Sequence, residues 1–313
     1  MEIPPSLAAW LKRRHLTVDE RAMGSSFASR NPTLRCRDAR GRKVFVKAAV
    51  RGDPGVAHER SMLDALQALP QVPRVRHSTE GVLALEWLEG RTLWQARRRR
   101  GPTPDEAIGA ALAKVQRAGR EATTTPVRGD LCERLLWTSP ALFASLGPAS
   151  LELLRKVHAS RGAMQSLRWL LEGERREVLV HGDLRQPNIM LHRGKVSFVD
   201  WEQCGLGDPA RDLGMLIAED VRAWLLPRDE TEVLTRAEVE HHARALNAGW
   251  EAAAHEVPGE HRARVLGWVA EALLRSAFTM AFHEAQLPGA LVDAAIAILV
   301  EPDASSRALL GGG

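Results

Sequence analysis

Cysteine is scarce in this chain. Cys36, Cys132 and Cys204 are the only three among 313 residues, and their spacing matches neither a disulfide framework nor a thiolate metal site. They read as small core or surface residues in a reducing compartment, so a cytoplasmic location is expected. Long apolar runs are also missing. The stretch 290–300 is short and carries Asp293, well below the roughly 20 residues of a membrane span. The opening residues, MEIPPSLAAWLKRRHL, put their basic side chains after the apolar ones, which is not the order of a secretory signal. A strong charge of one sign is lacking too. A net charge of +4 and a pI near 9.3 suit an anionic cosubstrate but are too weak to argue for nucleic acid. There is no internal repeat and no long low-complexity tract. What is present, 45% hydrophobic and 26% charged residues, describes a globular chain with room for two lobes. No nucleic acid or membrane partner is expected, and the oligomeric state is left open.

The densest chemistry lies in residues 178–200, VLVHGDLRQPNIMLHRGKVSFVD. Val178, Leu179 and Val180 predict a buried strand leading to His181. Apolar runs at 189–191 and 196–199 flank His192-Arg193-Gly194-Lys195, a polar turn with glycine. They predict a hairpin that folds Asp200 back beside Asn188. Three oxygen-bearing side chains then stand at set intervals: Asp183, Asn188 five residues later, and Asp200 after the hairpin. Phosphoryl transfer needs a carboxylate to orient and deprotonate a hydroxyl. It also needs hard oxygen ligands to hold Mg²⁺ against nucleotide phosphates. In this pattern Asp183 is the base, and Asn188 and Asp200 are the metal ligands. The competing reading is a hairpin whose polar residues only cap turns.

The segments HGDLRQPNIM, FVDWE and GDPARDLG resemble the aminoglycoside phosphotransferase/choline kinase family, relatives of the protein kinases. The likeness is strongest over 178–213 and thinner toward the N-terminus. It implies a two-lobed, protein-kinase-like α+β fold. A small antiparallel-sheet lobe would span 1–88, with a hinge at about 86–90, and a larger, mainly helical lobe would span 89–313. It also implies ATP and Mg²⁺ as cofactors. The small-residue turn at 23–29 stands where the family has its nucleotide loop, so Gly24, Ser25 and Ser26 would bring backbone amides to phosphate oxygens. This version of the loop holds a single glycine.

Lys47 ends the apolar run 43–48, which pairs with 33–37 around Asp38-Ala39-Arg40-Gly41 in a predicted hairpin. It reads either as an edge-strand charge or as the lysine that grips the α- and β-phosphates. A predicted helix from Asp53-Pro54 through Leu69 decides between them. There Glu59 shares a face with Val56, Met62, Leu63, Leu66 and Leu69, and a carboxylate on a packed face needs a cation. Lys47 is the natural partner. The strand from 82 to 88 resembles the family's crossover, where backbone groups of Glu86 to Leu88 would bond the purine edge. His181 is assigned a structural role. Arg185 stands where protein kinases carry a lysine that neutralises the phosphoryl group in transfer; alternatively it faces an anionic substrate. By resemblance, Asp212, near the start of a helix opened by Asp208-Pro209, braces the catalytic loop.

Other stretches are chemically quieter. The run Arg97 to Arg100 reads as a solvated helix end or as a docking patch for an acidic partner. Helices are expected at 7–11, 105–120, 151–171, 234–253, 260–284 and 290–300. Glu219, Asp220, Glu271 and Glu284 read as ordinary helix surface, with the lining of an acceptor pocket as the alternative. The tail 304–313 reads as frayed. The acceptor is expected to be a small-molecule hydroxyl, as on an aminoglycoside or a metabolite alcohol. Two alternatives stand: a kinase for Ser or Thr of a peptide in a ribosomal-peptide modification pathway, and a catalytically inactive nucleotide-binding scaffold.

Overall fold

The computed structural model describes residues 3–19, 31–50, 53–123, 125–127, 134, 136–173, 176–254, 257, 260–283 and 287–311. The expected nucleotide loop (Gly24, Ser25, Ser26), Cys132 and Glu284 lie outside these residues. The chain forms two compact units, Met1–Arg91 with Met190–Cys204, and Thr92–Ile189 with Gly205–Gly313.

The first unit is built on five antiparallel strands: β1 (Thr17–Val18), β2 (Thr33–Arg37), β3 (Lys43–Ala48), β4 (Val75–Thr79) and β5 (Val82–Glu86). Their order in the sheet is β1-β2-β3-β5-β4. Side chains alternate across a strand, so the register fixes the faces. Val46 pairs with Ala84, while Phe45 pairs with Leu85 and Lys47 with Leu83. The Val46 face packs with Leu34, Cys36 and Val44 against Leu7, Trp10 and Leu11 of helix α1 (Pro5–Arg13). The opposite face, with Lys47, is covered by helix α2 (Gly55–Ala65), which buries Val56, Glu59, Met62 and Leu63. Asp53 accepts the Gly55 N–H at 2.8 Å and starts α2. The helix ends at Ala65 rather than at the predicted Leu69: Leu66 leaves helical geometry with φ −95° and ψ 5°, and the Leu69 N–H donates to Leu66 O at 2.9 Å in a tighter turn. The hairpin expected after residue 188 is present, with strands Ile189–His192 and Lys195–Phe198. Phe198 N–H donates to Gln71 O at 2.7 Å, so this late segment is fastened to the first unit. The turn Trp201–Gln203 then packs on α2.

The second unit is helical: α3 (Leu93–Arg98), α4 (Asp105–Ala118), α5 (Pro140–Ser145), α6 (Pro148–Ala159), α7 (Arg161–Glu172), α8 (Ala210–Leu225), α9 (Arg236–Ala253), α10 (His261–His283), α11 (Gly289–Val300) and α12 (Pro302–Leu309). The single helix expected over 151–171 is two, because Ser160 leaves helical geometry and its hydroxyl accepts the Ala163 N–H at 3.3 Å. The tail is not frayed up to residue 310. It forms α12, and Leu310 beyond it is buried. The predicted strand Val178–Val180 is present and pairs antiparallel with Gly205–Gly207. The core lies where Leu213, Leu216 and Ile217 of α8 meet Val265, Trp268 and Val269 of α10. Among the described residues, α10 alone is long and apolar enough to cross a membrane. However, 61% of its most apolar window is buried inside the protein, as in a core helix.

Candidate active site

In the first unit the chemistry gathers on Lys47, whose side chain is only 3% exposed. Its Nζ donates to Glu59 Oε2 at 2.9 Å and lies 2.7 Å from Glu202 Oε2. It also bonds Asp200 Oδ1, a residue 153 positions later in the chain. Burial works against the ammonium, but Glu59 and Asp200 outweigh it and the Lys47 pKa is raised. Glu59 is also pushed up, by burial first, with Lys47 opposing and Asp200 adding to the rise. One cation is thus shared by three carboxylates whose nearest oxygens all lie within 4.8 Å of one another. Hard oxygen donors carrying surplus negative charge suit a divalent cation such as Mg²⁺.

Backbone structure fixes these acids. Glu59 Oε1 accepts the Trp201 N–H at 3.2 Å, which holds the residue after Asp200 against α2. Asp200 itself has φ 71° and ψ 62°, a left-handed geometry that few residues other than glycine adopt. Glu202 Oε2 also accepts from Asn31 Nδ2 at 3.2 Å, and Asn31 Oδ1 accepts the Val50 N–H at 3.0 Å. Neither Asn31 nor Glu202 is among the site residues expected from the sequence. A third acid so close to Asp200 was the available signal. At the expected purine-binding strand, the Glu86 N–H donates to Arg74 O at 2.9 Å, so that amide is already used within the sheet. The Glu86 carboxylate accepts from the Arg74 N–H at 3.0 Å. Strand β5 ends at Glu86, so Leu88 lies beyond it, half-buried and outside any strand.

In the second unit the loop 181–188 hangs from one buried carboxylate. Asp212, fully buried in the first turn of α8, accepts the His181 N–H at 2.8 Å and the Gly182 N–H at 3.1 Å. Gln116 of α4 donates to Asp212 at 3.4 Å and accepts from Trp250 Nε1 at 2.8 Å. His181 Nδ1 accepts the Asp183 N–H at 3.4 Å. Asn188 Nδ2 donates to Asp183 O at 2.9 Å. That commits its nitrogen and leaves Oδ1, the atom a hard cation takes, without a hydrogen bond among the described residues. Arg185 reaches Asp183 Oδ2 through Nε at 3.1 Å and Nη2 at 2.8 Å, so its charge rests on the candidate base itself.

Two surface expectations change. Arg97 is not part of a solvated run. It is 6% exposed, donates to Asp105 at 2.8 Å and lies 3.1 Å from Asp220. Arg98 pairs with Asp229 at 2.8 Å. Asp220 and Glu271 are likewise not helix surface, at 1% and 0% exposed. Glu271 holds Arg275 at 2.8 Å. Glu219 is half-buried, accepts the Gln186 N–H at 2.6 Å and has its pKa raised by burial. The countercharges of Arg97 lie on other helices, Asp105 of α4 and Asp220 of α8, whereas Arg275, the partner of Glu271, stands one turn along α10 itself.

A search of curated protein sequences finds no match. Solved structures do match. An amicoumacin kinase in complex with AMP-PNP, Ca²⁺ and Ami is 14% identical, with 96% of this chain and 94% of that one covered at a TM-score of 0.65. The ADP-bound aminoglycoside phosphotransferase APH(2'')-Ib is 11% identical, with 95% and 100% covered at 0.61. A choline/ethanolamine kinase family protein from Mesorhizobium loti is 18% identical, with 92% and 93% covered at 0.57. These likenesses give the fold, the expected two-lobed, protein-kinase-like α+β architecture. The sequence model described as "phosphotransferase enzyme family" matches residues 26–264. Because that match runs through every candidate residue from Lys47 to Asp212, the chain belongs to the phosphotransferase enzyme family and is a phosphotransferase.

Proposed function

We propose that the protein is an ATP- and Mg²⁺-dependent kinase of the cytoplasm that transfers the γ-phosphoryl group to a hydroxyl of a small molecule. The observation that carries this reading is the buried Lys47, bonded both to Glu59 of α2 and to Asp200 after the hairpin. A lysine held in this way presents a fixed positive charge to nucleotide phosphates, and Glu59 keeps it in place when phosphate competes for it. Asp183 orients the acceptor hydroxyl and takes its proton as the hydroxyl oxygen bonds to the γ-phosphorus and ADP departs. Arg185 steadies the Asp183 carboxylate and places a guanidinium where negative charge builds in the transition state. Asn188 and Asp200 are the groups assigned to Mg²⁺, with Glu202 adding negative charge beside Asp200. When bound, the ion supplies charge neutralisation at the phosphates. The residues 24–26 and the backbone at 86–88, apart from the Glu86 N–H already bonded to Arg74 O, are assigned to the nucleotide.

A small-molecule acceptor is preferred over a peptide. The solved structures of similar fold are named as kinases of amicoumacin, aminoglycosides and choline or ethanolamine. The features that favour an acidic peptide are the arginine run and Arg185, and Arg97, Arg98 and Arg185 are already paired with carboxylates of the chain itself. The test is Asp183→Ala. Phosphoryl transfer, followed as ADP release across a panel of antibiotics, metabolite alcohols and hydroxyl-bearing peptides, should fall by at least about a thousandfold. Nucleotide affinity by calorimetry should stay within a few-fold. Retention of full turnover in the variant would reject Asp183 as the base.

A further inference from the structure

Beyond Asp212, a second set of acids grips the loop 181–188. The residue gripped is Gln186, 6% exposed, between Asp183 and Asn188. Its backbone N–H donates to Glu219 at 2.6 Å, and its side-chain amide donates to Asp220 Oδ1 at 2.7 Å. Asp220 is buried in α8 and needs a cation. Arg97 of α3 supplies it at 3.1 Å, and Asp105 at the start of α4 balances the same guanidinium at 2.8 Å. His242 of α9 closes the group, with Nδ1 3.3 Å from Asp220 Oδ2 and in contact with Arg97. Residues of four helices therefore form the group around Asp220, which holds one glutamine of a three-residue 3-10 turn, Gln186–Asn188.

We propose that Asp220, held by Arg97, is a positioning residue. Through Gln186 it fixes the turn that sets Asp183 and Asn188 relative to each other, and Glu219 shares the load on the backbone. The assignment rests on the phosphotransferase roles given above to Asp183 and Asn188. The physical reason is the short lever. Asn188 reaches back to Asp183 O through one hydrogen bond from its side-chain amide, so slack at Gln186 is passed directly to both groups. A loop tied at its start by Asp212 alone would leave its far end free.

The experiment uses the full chain and two isosteric variants, Gln186→Met and Asp220→Asn. Amide hydrogen exchange of residues 181–189 is read by mass spectrometry beside turnover and nucleotide affinity. Loss of a hydrogen bond to a buried carboxylate should raise exchange in that segment about tenfold and lower kcat by a similar factor. KM for the nucleotide should be unchanged. The double variant Gln186→Glu with Asp220→Asn reverses donor and acceptor and should recover part of both losses. Unchanged exchange over 181–189 in a folded Gln186→Met or Asp220→Asn protein would overturn the proposal. So would a drop in melting temperature with kcat intact, which marks a merely structural contact. If exchange rises while the wild-type protein transfers no phosphoryl group to any acceptor tested, the reaction assigned above fails and the anchoring stands.

Discussion

His261 opens α10 with its side chain almost wholly buried and its ring stacked 4.0 Å from Trp250. Neither ring nitrogen has a hydrogen-bond partner among the described residues. Burial is the main reason its pKa falls to about 4, against the opposing pull of Glu251 and Asp208. The folded protein therefore holds this imidazole neutral, while the unfolded chain protonates it near 6.5. The resulting stability is fully present above about pH 6.5 and is lost as pH falls through about 4. Urea melts at pH 7.5 and pH 4.5 should show the wild type losing about 2 kcal/mol more than His261→Leu. A parallel decline of the two proteins would show that the buried ring does not titrate in this way. At this scale the legibility of the sequence was uneven. Lys47 and Glu59 could be paired from letters alone, because a carboxylate on an apolar helix face demands a nearby cation. Arg97 could not be told from the arginines after it. Which member of a run turns inward depends on acids carried by α4 and α8, and local pattern says nothing about those.

Helices were the easiest elements to foresee and their contacts the hardest. Gly109 in α4 and Gly249 in α9 interrupt good helical patterns, where each costs up to about 1 kcal/mol relative to alanine. The packing explains both. A Cβ on Gly109 would overlap Leu246 O, and one on Gly249 would overlap Glu106 O, so the two backbones touch with no room for side chains. Propensity and packing therefore predict opposite signs for Gly109→Ala. We expect packing to win, with a loss of about 1–3 kcal/mol in chemical denaturation. A gain in stability would show that α4 and α9 can move apart at little cost. Strand β4 escaped the sequence reading for a related reason. Its residues, VRHST, alternate poorly, and its place in the sheet follows from pairing with β5.

On the scale of the whole chain, sequence order and structural membership part company. The first unit is not a contiguous stretch, since residues 190–204 return to it after the chain has built much of the second. The motif order could be read from the sequence, and so could the hairpin before Asp200. The recruitment of that hairpin to the first unit could not, because the bonds that hold it, Phe198 to Gln71 and Trp201 to Glu59, link distant positions. A fragment ending at residue 91 would keep Lys47 and Glu59 but lack Asp200, Glu202 and the turn Trp201–Gln203 that packs on α2. We expect such a fragment to show no cooperative thermal transition and no measurable nucleotide binding, while the full chain shows both. A sharp melt from the fragment would mean that the sheet and α2 suffice as a folding unit.

The left-handed turn at Asp200 separates two kinds of substitution that chemistry alone would rank the other way. Glutamate preserves the acid, yet its longer side chain gains nothing from the local bonding that lets aspartate and asparagine tolerate this corner of backbone space. Asparagine and glycine accommodate the bend while discarding the charge. An acid required both to bind and to bend has few substitutes, so the main chain itself restricts what can stand at position 200.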